Sequence, residues 1–420
     1  MTADVAAVAR RTIQVLVAAQ VLAGVGLAAG ITVGALLAED MIGSTSSAGV
    51  PTALFTAGSA GAALLVGRVS QAHGRRPGLA AGYAVGALGA AGVVAAAALD
   101  SVALLFVMLF LYGAGLATNL QARYAGADLV AAAHRGRAVS TVLVATTLGA
   151  VVGPNLVDAT GDVAESMGVR ALAGPFMLAS LGYGLAALAV VVLLRPDPLL
   201  LARRLERDPA PAGAEDGAPP PPAAAEAPDP HATRTLRIAA AAMVITQAVM
   251  AGIMTMTPIH MRDHGHGLSA AGLVISIHVA AMYLPSPLSG YLADRAGRRA
   301  TLALGGATLL AAGVLAALAP TDSMVLLTVA LALLGVGWSL GLVGGTALVT
   351  DAAPLATRAR TQGRVDLCVA LAGAAGGVSS GIVVDLSGYE TLSLLGGALA
   401  LAMVPLLLAT GGRRTALGRA

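Results

Sequence analysis

Residues 290–302 read GYLADRAGRRATL, and residues 67–79 read GRVSQAHGRRPGL. The two segments share glycines and a pair of arginines at matching positions, 223 residues apart (67 to 290). A second stretch, around Asp128, recurs at the same offset around Asp351. Two separate stretches that share one offset indicate a chain built from two related halves.

The composition predicts that these halves lie in a membrane. Of the 420 residues, 57% are hydrophobic and 11% are charged, whereas soluble domains carry about 25% charged residues. A helix needs about 20 apolar residues to cross a bilayer. Twelve segments meet this length, at residues 13–37, 48–68, 77–99, 101–122, 138–157, 172–194, 236–258, 268–290, 300–319, 323–347, 364–384 and 389–410.

We therefore predict an all-α membrane protein with twelve transmembrane helices in two pseudo-symmetric six-helix bundles. The bundles are residues 1–195 and 236–420, joined by a Pro/Ala-rich, flexible cytoplasmic linker over 196–235. Arginines concentrate in alternate loops, which indicates a multi-pass protein of the cell membrane with both termini in the cytoplasm. The net charge of +3 does not suggest nucleic-acid binding, and the sequence has no soluble zinc spacing or phosphate loop that would indicate an enzyme.

The two quoted segments resemble the cytoplasmic loop motif of the major facilitator superfamily, and the resemblance covers the whole chain. It implies the fold of that superfamily and a cytoplasmic latch, in which the motif bonds to neighbouring helix ends and holds the outward-facing state. The residues implied for the latch are Asp294, Arg295, Gly297, Arg298 and Arg299, with Gly67, Gly74, Arg75 and Arg76 in the weaker first copy. There Gln71 replaces the acid and cannot form a charge-assisted bond. The alternative is that the arginines only determine topology.

Two pairs of soft side chains lie four residues apart on the predicted spans 7 and 8. The segments 250–254 (MAGIM) and 278–282 (HVAAM) each place two thioether or imidazole groups on one helix face. Thioethers with one imidazole favour Cu(I) over harder cations, and an ionisable residue near mid-span faces the bundle interior by default. The repeat does not require these residues, since the equivalent first-half positions are Leu27, Ile31, Phe55 and Ser59. Methionine as apolar filler and a histidine used only in packing remain the alternative.

This spacing is similar to that of the copper-importing, CcoA-like branch of the superfamily. The surrounding sequence is also similar to that branch, in the segments TMTPIHM at 255–261, MYLPSP at 282–287 and RYAGAD at 123–128. In that branch the Met and His pairs bind the metal. The resemblance therefore implies copper as the substrate, no cofactor, and a ligand set of Met250, Met254, His278 and Met282.

Further polar groups are predicted at both ends of the pathway. The extracytoplasmic loop after span 7 either gathers metal ions at an entrance or is simply solvated, and its candidates are His260, Met261, His264 and His266. Near the cytoplasmic ends of spans 4, 10 and 11 we predict gate ion pairs rather than substrate ligands, formed by Arg123, Asp128, Asp351, Arg364 and Asp366.

Span 5 contains the stretch 149–154 (GAVVGP), which resembles the G-x-x-x-G-P element of proton-driven drug antiporters. Gly149 and Gly153 permit close helix approach, and Pro154 bends the helix. This element favours the main alternative function, a proton-coupled efflux antiporter for drugs or natural products. A non-transporting scaffold or sensor is a third alternative, against which the motif at 290–302 argues.

The predicted mechanism is alternating access. The substrate binds near the membrane midplane between the halves, and rocking of the halves exposes it to each side in turn. A cuprous ion from outside passes the entrance histidines and exchanges into the Met/His set, and protonation of His278 offers one route to release or to proton coupling. The expected partners are a small-molecule or metal-ion substrate and the lipid bilayer, and we expect a monomer.

Overall fold

The computed structural model describes residues 3–28, 33–42, 49–207, 229–321 and 323–408, most of which are helical. The first half contains α1 (Ala3–Ala28), α2 (Gly34–Ile42), α3 (Gly49–His73), α4 (Arg75–Ala98), α5 (Val102–Ala127), α6 (Arg135–Asn155), α7 (Val157–Ser166), α8 (Gly174–Leu193) and α9 (Pro198–Arg207). The second half contains α10 (Pro230–Asp263), α11 (Leu268–Tyr283), α12 (Ser286–Arg295), α13 (Arg298–Leu318), α14 (Met324–Ala352), α15 (Arg358–Leu401) and α16 (Met403–Leu408).

Ten described segments are long and apolar enough to cross a membrane. The last of them, 358–407, contains two crossings, because Gly388 interrupts the helix with φ of 86°. Gly376 and Gly396, on either side of this break, both approach α10, so the chain reverses direction between them. The remaining crossing is α6, whose 21 residues span about 31 Å at ~1.5 Å per residue. The predicted all-α fold with twelve membrane helices is confirmed.

The repeated motif has the same backbone conformation in both halves. Gly74 precedes α4 with φ of 101°, and Gly297 precedes α13 with φ of 98°. Residues other than glycine rarely adopt this region. The glycine of the motif therefore serves the sharp turn that connects two antiparallel membrane helices at the predicted cytoplasmic end.

Each half encloses an apolar core, and the core of the second half continues across the interface. It includes Tyr124 of α5 and Val139 and Leu143 of α6, all buried. Burial of apolar surface is thus shared by the two halves in this state.

The segment predicted as a flexible linker, 196–235, is partly helical, which corrects the sequence-based boundary. Pro198 begins α9, as proline commonly does at a first helical turn, and Leu199 and Ala202 of this helix are buried. Arg203 donates to the carbonyl oxygen of Gln71 at 3.0 Å. The amphipathic pattern of α9 therefore fixes it beneath the first half, and α10 begins at Pro230. Residues 208–228 of the predicted linker lie outside the described residues.

Gly149 lies where α6 and α1 touch, and we expect a methyl group there to destabilise the protein. A Cβ on Gly149 would lie 2.4 Å from the carbonyl oxygen of Val21 and 2.6 Å from the nitrogen of Val25. Gly153 and Pro154 also belong to α6, but their surroundings lie outside what the structure describes. Overpacking of this kind costs about 1–3 kcal/mol, so Gly149→Ala should lower the midpoint of thermal unfolding in detergent.

Gly184 of α8 provides the matched control, because a Cβ there would meet no described atom within 4 Å. Gly184→Ala should leave the midpoint unchanged or raise it slightly, since alanine is the better helix former. Equal midpoints for the two variants would contradict the close approach of α6 to α1.

Candidate transport pathway

The predicted binding residues lie on helices that pack against α14, so their contacts with α14 give the depth of each residue along the bundle. α10 packs against one face of it: Trp338 Nε1 donates to Gln247 Oε1 at 2.8 Å, and a Cβ on Gly341 would lie 2.4 Å from Thr246 Oγ1. A later residue on α10 meets an earlier residue on α14. The two helices therefore run antiparallel.

α11 and α12 pack on the adjoining face of α14. The Nδ1 atom of His278 lies 2.8 Å from the carbonyl oxygen of Leu331, and the hydroxyl oxygens of Ser286 and Ser339 lie 3.4 Å apart. Both contacts join residues 53 positions apart. α11 and α12 therefore run parallel to α14 in a constant register.

These two registers bring the predicted ligands to matching depths. Met254 lies two turns beyond Gln247 on the same face of α10. Because Gln247 contacts Trp338 and the two helices are antiparallel, Met254 is level with Leu331, the residue to which His278 bonds. Met250 and Met282 are both one turn closer to the predicted cytoplasmic end. His278 is 1% exposed, Met282 8% and Met250 9%, and Met254 is half-buried against the same core. The four side chains thus lie on two helices that both contact α14. Met254 and His278 share one depth, and Met250 and Met282 share the other.

His278 has one bonded and one free ring nitrogen. Because a carbonyl oxygen only accepts, Nδ1 carries the proton that it shares with Leu331. Nε2 is buried and has no hydrogen-bond partner within the described residues. An imidazole that is oriented through one nitrogen presents the other to a metal ion or a hydrogen-bond donor. The Nε2 atom of this ring therefore has an unused lone pair within the described residues.

Two buried aromatic side chains lie just below the level of Met250 and Met282, toward the predicted cytoplasmic end. The rings of Tyr283 and Trp338 are edge to face, with centroids 5.5 Å apart, and Trp338 is held by Gln247. We call these two rings the aromatic floor. The sequence analysis missed it, because a tyrosine and a tryptophan 55 residues apart carry no spacing signal.

The predicted entrance histidines lie at the opposite end of α10. His260 stacks on Tyr389 with ring centroids 4.2 Å apart and lies 4.4 Å from the ring of His264. His266 instead bonds at 2.9 Å to a backbone carbonyl of the loop between α13 and α14, and Met261 is buried. No group of three His, Cys, Asp or Glu side chains suited to a metal occurs in the described parts of the chain. The entrance thus offers a pair of neighbouring imidazoles.

A buried ion pair joins the two halves below the aromatic floor. Arg123 Nη2 donates to Asp366 Oδ1 at 2.7 Å, and the hydroxyl of Tyr124 donates to the same oxygen at 3.1 Å. Arg123 Nε also donates to Thr346 Oγ1 at 2.9 Å. Thr346 is eight residues beyond Trp338 on α14, about 12 Å at ~1.5 Å per residue. We call Arg123, Tyr124 and Asp366 the interface triad.

Asp128 is the centre of the first of two ion-pair clusters at the predicted cytoplasmic end. It accepts from Arg75 Nε at 2.7 Å, and Arg358 of the other half lies 3.9 Å away. Arg75 also donates to Gln362 Oε1, across the interface, at 2.5 Å. The side chains of Arg75 and Asp128 are both 0% exposed, so this cluster is closed to water.

Asp351, the repeat counterpart of Asp128, is the centre of the second cluster. Arg298 of its own half lies 3.0 Å away and Arg135 of the other half 2.6 Å away. Each aspartate therefore pairs with one arginine from each half, as a two-fold repeat requires. The side chain of Asp351 is 28% exposed, so the second cluster is the wetter of the two.

Asp294 and Gln71, at equivalent positions of the motif, each cap a helix of the opposite half. Asp294 accepts the first backbone N–H groups of α6 at 2.8 and 3.0 Å. Gln71 accepts the first N–H groups of α15 at 2.8 and 3.3 Å. These groups have no partner inside their own helices. The two clusters and the two caps hold the halves together, so the protein is closed at the predicted cytoplasmic end.

The other predicted residues of the motif and gate have different surroundings. The backbone nitrogen of Arg76 donates to Asp197 Oδ2 at 2.7 Å, and Arg295 bonds to the hydroxyl of Tyr291 one turn away. Gly67 packs directly against α15. Arg299 and Arg364 are exposed, and Arg364 is not brought together with Arg123 and Asp366.

Sequence reasoning missed two neutral residues of the interface, Gln362 and Thr346. The repeat contained a signal for the second, because Arg123 and Thr346 stand at the repeat offset of 223. Equivalent positions in two halves meet when they lie near the pseudo-two-fold axis. A buried arginine on such an axis therefore points to its counterpart as a contact.

The comparison with known proteins agrees with this architecture. Residues 15–265 and 239–417 both match the model of the Major Facilitator Superfamily. The chain belongs to the major facilitator superfamily. It is accordingly a multi-pass membrane protein and a secondary transporter.

Relatives within this superfamily extend over the full chain. The uncharacterized MFS-type transporter YdeG of Bacillus subtilis (strain 168) is 54% identical, covering 96% of this chain and 93% of its own length. The riboflavin transporter RfnT of Brucella anthropi is 33% identical, covering 96% of both chains. Among solved structures, the human organic anion transporter MFSD10 superposes with a TM-score of 0.74 at 18% identity, covering 95% of this chain and 99% of its own.

Proposed function

We propose that this superfamily member imports cuprous copper, or a copper complex, across the cell membrane. The observation that carries the proposal is the free, buried Nε2 of His278, which lies at the depth of Met254 with Met250 and Met282 one turn below. Thioether sulfur and neutral imidazole are ligands that suit Cu(I). The set lies in one chain, which favours a monomeric transport unit.

In the proposed cycle, the ion enters while the predicted cytoplasmic end is closed by the two ion-pair clusters. The imidazoles of His260 and His264 meet it first, and the Met/His set then takes it up above the aromatic floor. Binding must be shallow, because a very tight site would not release its substrate. Rocking of the halves separates the floor and the clusters and exposes the ion to the cytoplasm, where both termini are proposed to lie.

Uptake of Cu(I) and Zn(II) into proteoliposomes tests this proposal. Wild-type protein should accumulate Cu(I) in preference to Zn(II), because Zn(II) is poorly matched to thioethers. Met254→Leu and His278→Gln should each reduce the initial rate of Cu(I) uptake by about tenfold or more, the order expected when a metal site loses an essential group. Met256→Leu is the matched control, since Met256 is a neighbouring methionine off the 250/254 face and should transport normally. Equal Cu(I) uptake by all four proteins would exclude this ligand set.

Riboflavin, or a related aromatic heterocycle, is a second candidate substrate. The full-length similarity to RfnT, a riboflavin transporter, supports it, and so does the aromatic floor with its neighbour Gln247, since ring faces and an amide suit a planar heterocycle. The same vesicles distinguish the two by riboflavin fluorescence. A riboflavin carrier should lose uptake in Trp338→Ala and retain it in Met254→Leu, whereas a copper carrier should lose uptake in Met254→Leu.

A further inference from the structure

A cavity of about 410 Å³ lies at the predicted cytoplasmic end, beside the first ion-pair cluster. Residues 128–131, Arg135 and α9 line it from the first half, and Leu355 and Arg358 line it from the second. None of the candidate substrate ligands belongs to its walls. A pocket of this volume is large enough for a small organic molecule. The cavity is therefore a candidate binding site that is separate from the transport pathway.

Arg358 is the charged group of this cavity whose hydrogen-bonding capacity is mostly unused. It is 6% exposed, and its Nε donates to the carbonyl oxygen of Ala353 at 3.2 Å. Its Nη1 lies 3.9 Å from Asp128 Oδ1, which is beyond hydrogen-bonding distance. Both terminal nitrogens are thus without an acceptor in the described part of the chain. A guanidinium fork of this kind binds a carboxylate or a phosphate through two parallel hydrogen bonds.

The other charges of the cavity do not neutralise Arg358 by contact. Asp128 is bonded to Arg75 at 2.7 and 3.3 Å, and Arg135 is bonded to the carboxylate of the second cluster at 2.6 Å. Glu206 of α9 is exposed and influences Arg358 through its charge, but the two form no ion pair among the described contacts. An anion that enters from water therefore meets one unpaired guanidinium, with Glu206 as its competitor.

The rest of the cavity is largely apolar. Leu129 and Ala202 are buried in a small cluster against which Leu355 packs. Leu205, one turn further along α9, lines the cavity and is 45% exposed. An exposed leucine beside an unpaired guanidinium suits a ligand that has both an acidic group and an apolar body.

We propose that this cavity binds a small organic anion from the cytoplasm, a carboxylate or phosphate that carries an apolar body, and that binding stabilises the closed state. The acidic group accepts hydrogen bonds from Nη1 and Nη2 of Arg358, and the apolar body packs on Leu205 and Leu355. Because each half forms part of the wall, separation of the halves divides the site. An anion that binds only the undivided site shifts the population toward the closed state. It thereby inhibits transport from the cytoplasmic side, whichever substrate is carried.

Calorimetric titration of the full chain in phosphatidylcholine nanodiscs tests binding, with phenyl phosphate as the probe. Wild type should bind it, inorganic phosphate should bind about tenfold more weakly because it has no apolar body, and phenol should not bind. Arg358→Gln should weaken phenyl phosphate binding by about tenfold or more. Glu206→Gln should strengthen it by up to about fivefold, because an exposed competing charge is removed. Arg204→Gln is the matched control, since Arg204 is an exposed arginine of α9 outside the cavity walls, and it should bind as wild type does.

The proposal is overturned if phenyl phosphate does not bind, if Glu206→Gln binds it no more tightly than wild type, or if Arg204→Gln weakens binding as much as Arg358→Gln does. His278→Gln should keep the wild-type affinity, and a loss there would place the anion in the transport pathway instead. Phosphatidylglycerol in the nanodiscs should not compete; competition would assign the site to a lipid headgroup and exclude the soluble ligand. Thermal unfolding confirms that each variant is folded, and the exposed Glu206 decides the matter if Arg358→Gln does not fold.

The effect on the closed state is measured by the reactivity of a cysteine that only opening exposes. Ser140 is 1% exposed and lies against Gly290 of the other half, so Ser140→Cys, made after Cys368→Ser, should react with a water-soluble maleimide in proportion to the open population. Phenyl phosphate at about ten times its Kd should slow this reaction about tenfold and leave that of His73→Cys, at an exposed position, unchanged. An unchanged rate for Ser140→Cys would exclude the coupling. No transported substrate takes part, so failure of copper uptake would leave both results unaffected.

Discussion

Asp128→Ala is expected to destabilise the closed state by about 3–5 kcal/mol, because it leaves the buried guanidinium of Arg75 without its partner. Both side chains are 0% exposed, and Gln362 supplies only a neutral acceptor. Water enters if the halves separate, so the protein should relieve this cost by opening at the predicted cytoplasmic end. Spin-label distances across that end should show a predominantly open population, and the thermal midpoint should fall.

The repeat supplies the control for this effect. Asp351→Ala removes the equivalent carboxylate from the second cluster, where the side chain is 28% exposed and water can solvate Arg135 and Arg298. Partly exposed ion pairs contribute about 0–1 kcal/mol, so this variant should open far less. Replacing both members of the buried pair, by Arg75→Met with Asp128→Leu, should recover part of the stability, because Arg75 is then no longer an unpaired buried charge and only Arg358, 3.9 Å from Asp128, loses a charged partner. Equal opening by Asp128→Ala and Asp351→Ala would show that burial does not distinguish the clusters.

The sequence was sufficient for the membrane architecture, because its evidence is redundant there. Twelve apolar stretches and one repeat offset each indicate the same two bundles, and an error of several residues at a span boundary does not alter the fold. The motif likewise predicted Asp294, Arg298 and Arg75 as latch residues, and all three contact the opposite half. These features depend on local hydropathy and on repetition, both of which can be read along a chain.

The candidate site was less predictable, because it depends on helix rotation and register. The spacing of Met250, Met254, His278 and Met282 places pairs on helix faces, but their common depth follows only from how α10 and α11 pack on α14. The bond between His278 and Leu331 joins a side chain to a backbone atom 53 residues away, and no residue type signals such a partner. Arg364, adjacent in sequence to the interface, is exposed for the same reason.

Gln71 shows how residue chemistry alone can mislead. Its neutral amide cannot form the charge-assisted bond expected of the motif, but its partners are the backbone N–H groups at the start of α15. An amide oxygen accepts hydrogen bonds from backbone N–H groups, as a carboxylate oxygen does. It lacks only the negative charge that interacts favourably with the helix dipole. The helix cap is therefore the contact that both halves share at this position of the motif, and the ion pairs are an addition at Asp294.

The same reasoning predicts opposite outcomes for two substitutions of Asp294, which caps α6 and is 2% exposed in its side chain. Asp294→Ala leaves the backbone donors of Gly136 and Arg137 without their acceptor; the Gly136 donor is shielded from water, and a buried unsatisfied group costs about 1–3 kcal/mol. Asp294→Gln should reproduce the cap that Gln71 makes in the first half and lose only the pairing with Arg137 and Arg298. The alanine variant should therefore open strongly at the predicted cytoplasmic end, while the glutamine variant should remain mostly closed in spin-label distances. If the glutamine variant opens as much as the alanine variant, the negative charge rather than the cap stabilises this contact. The contact of Gln71 with α15 would then be the weaker of the two caps.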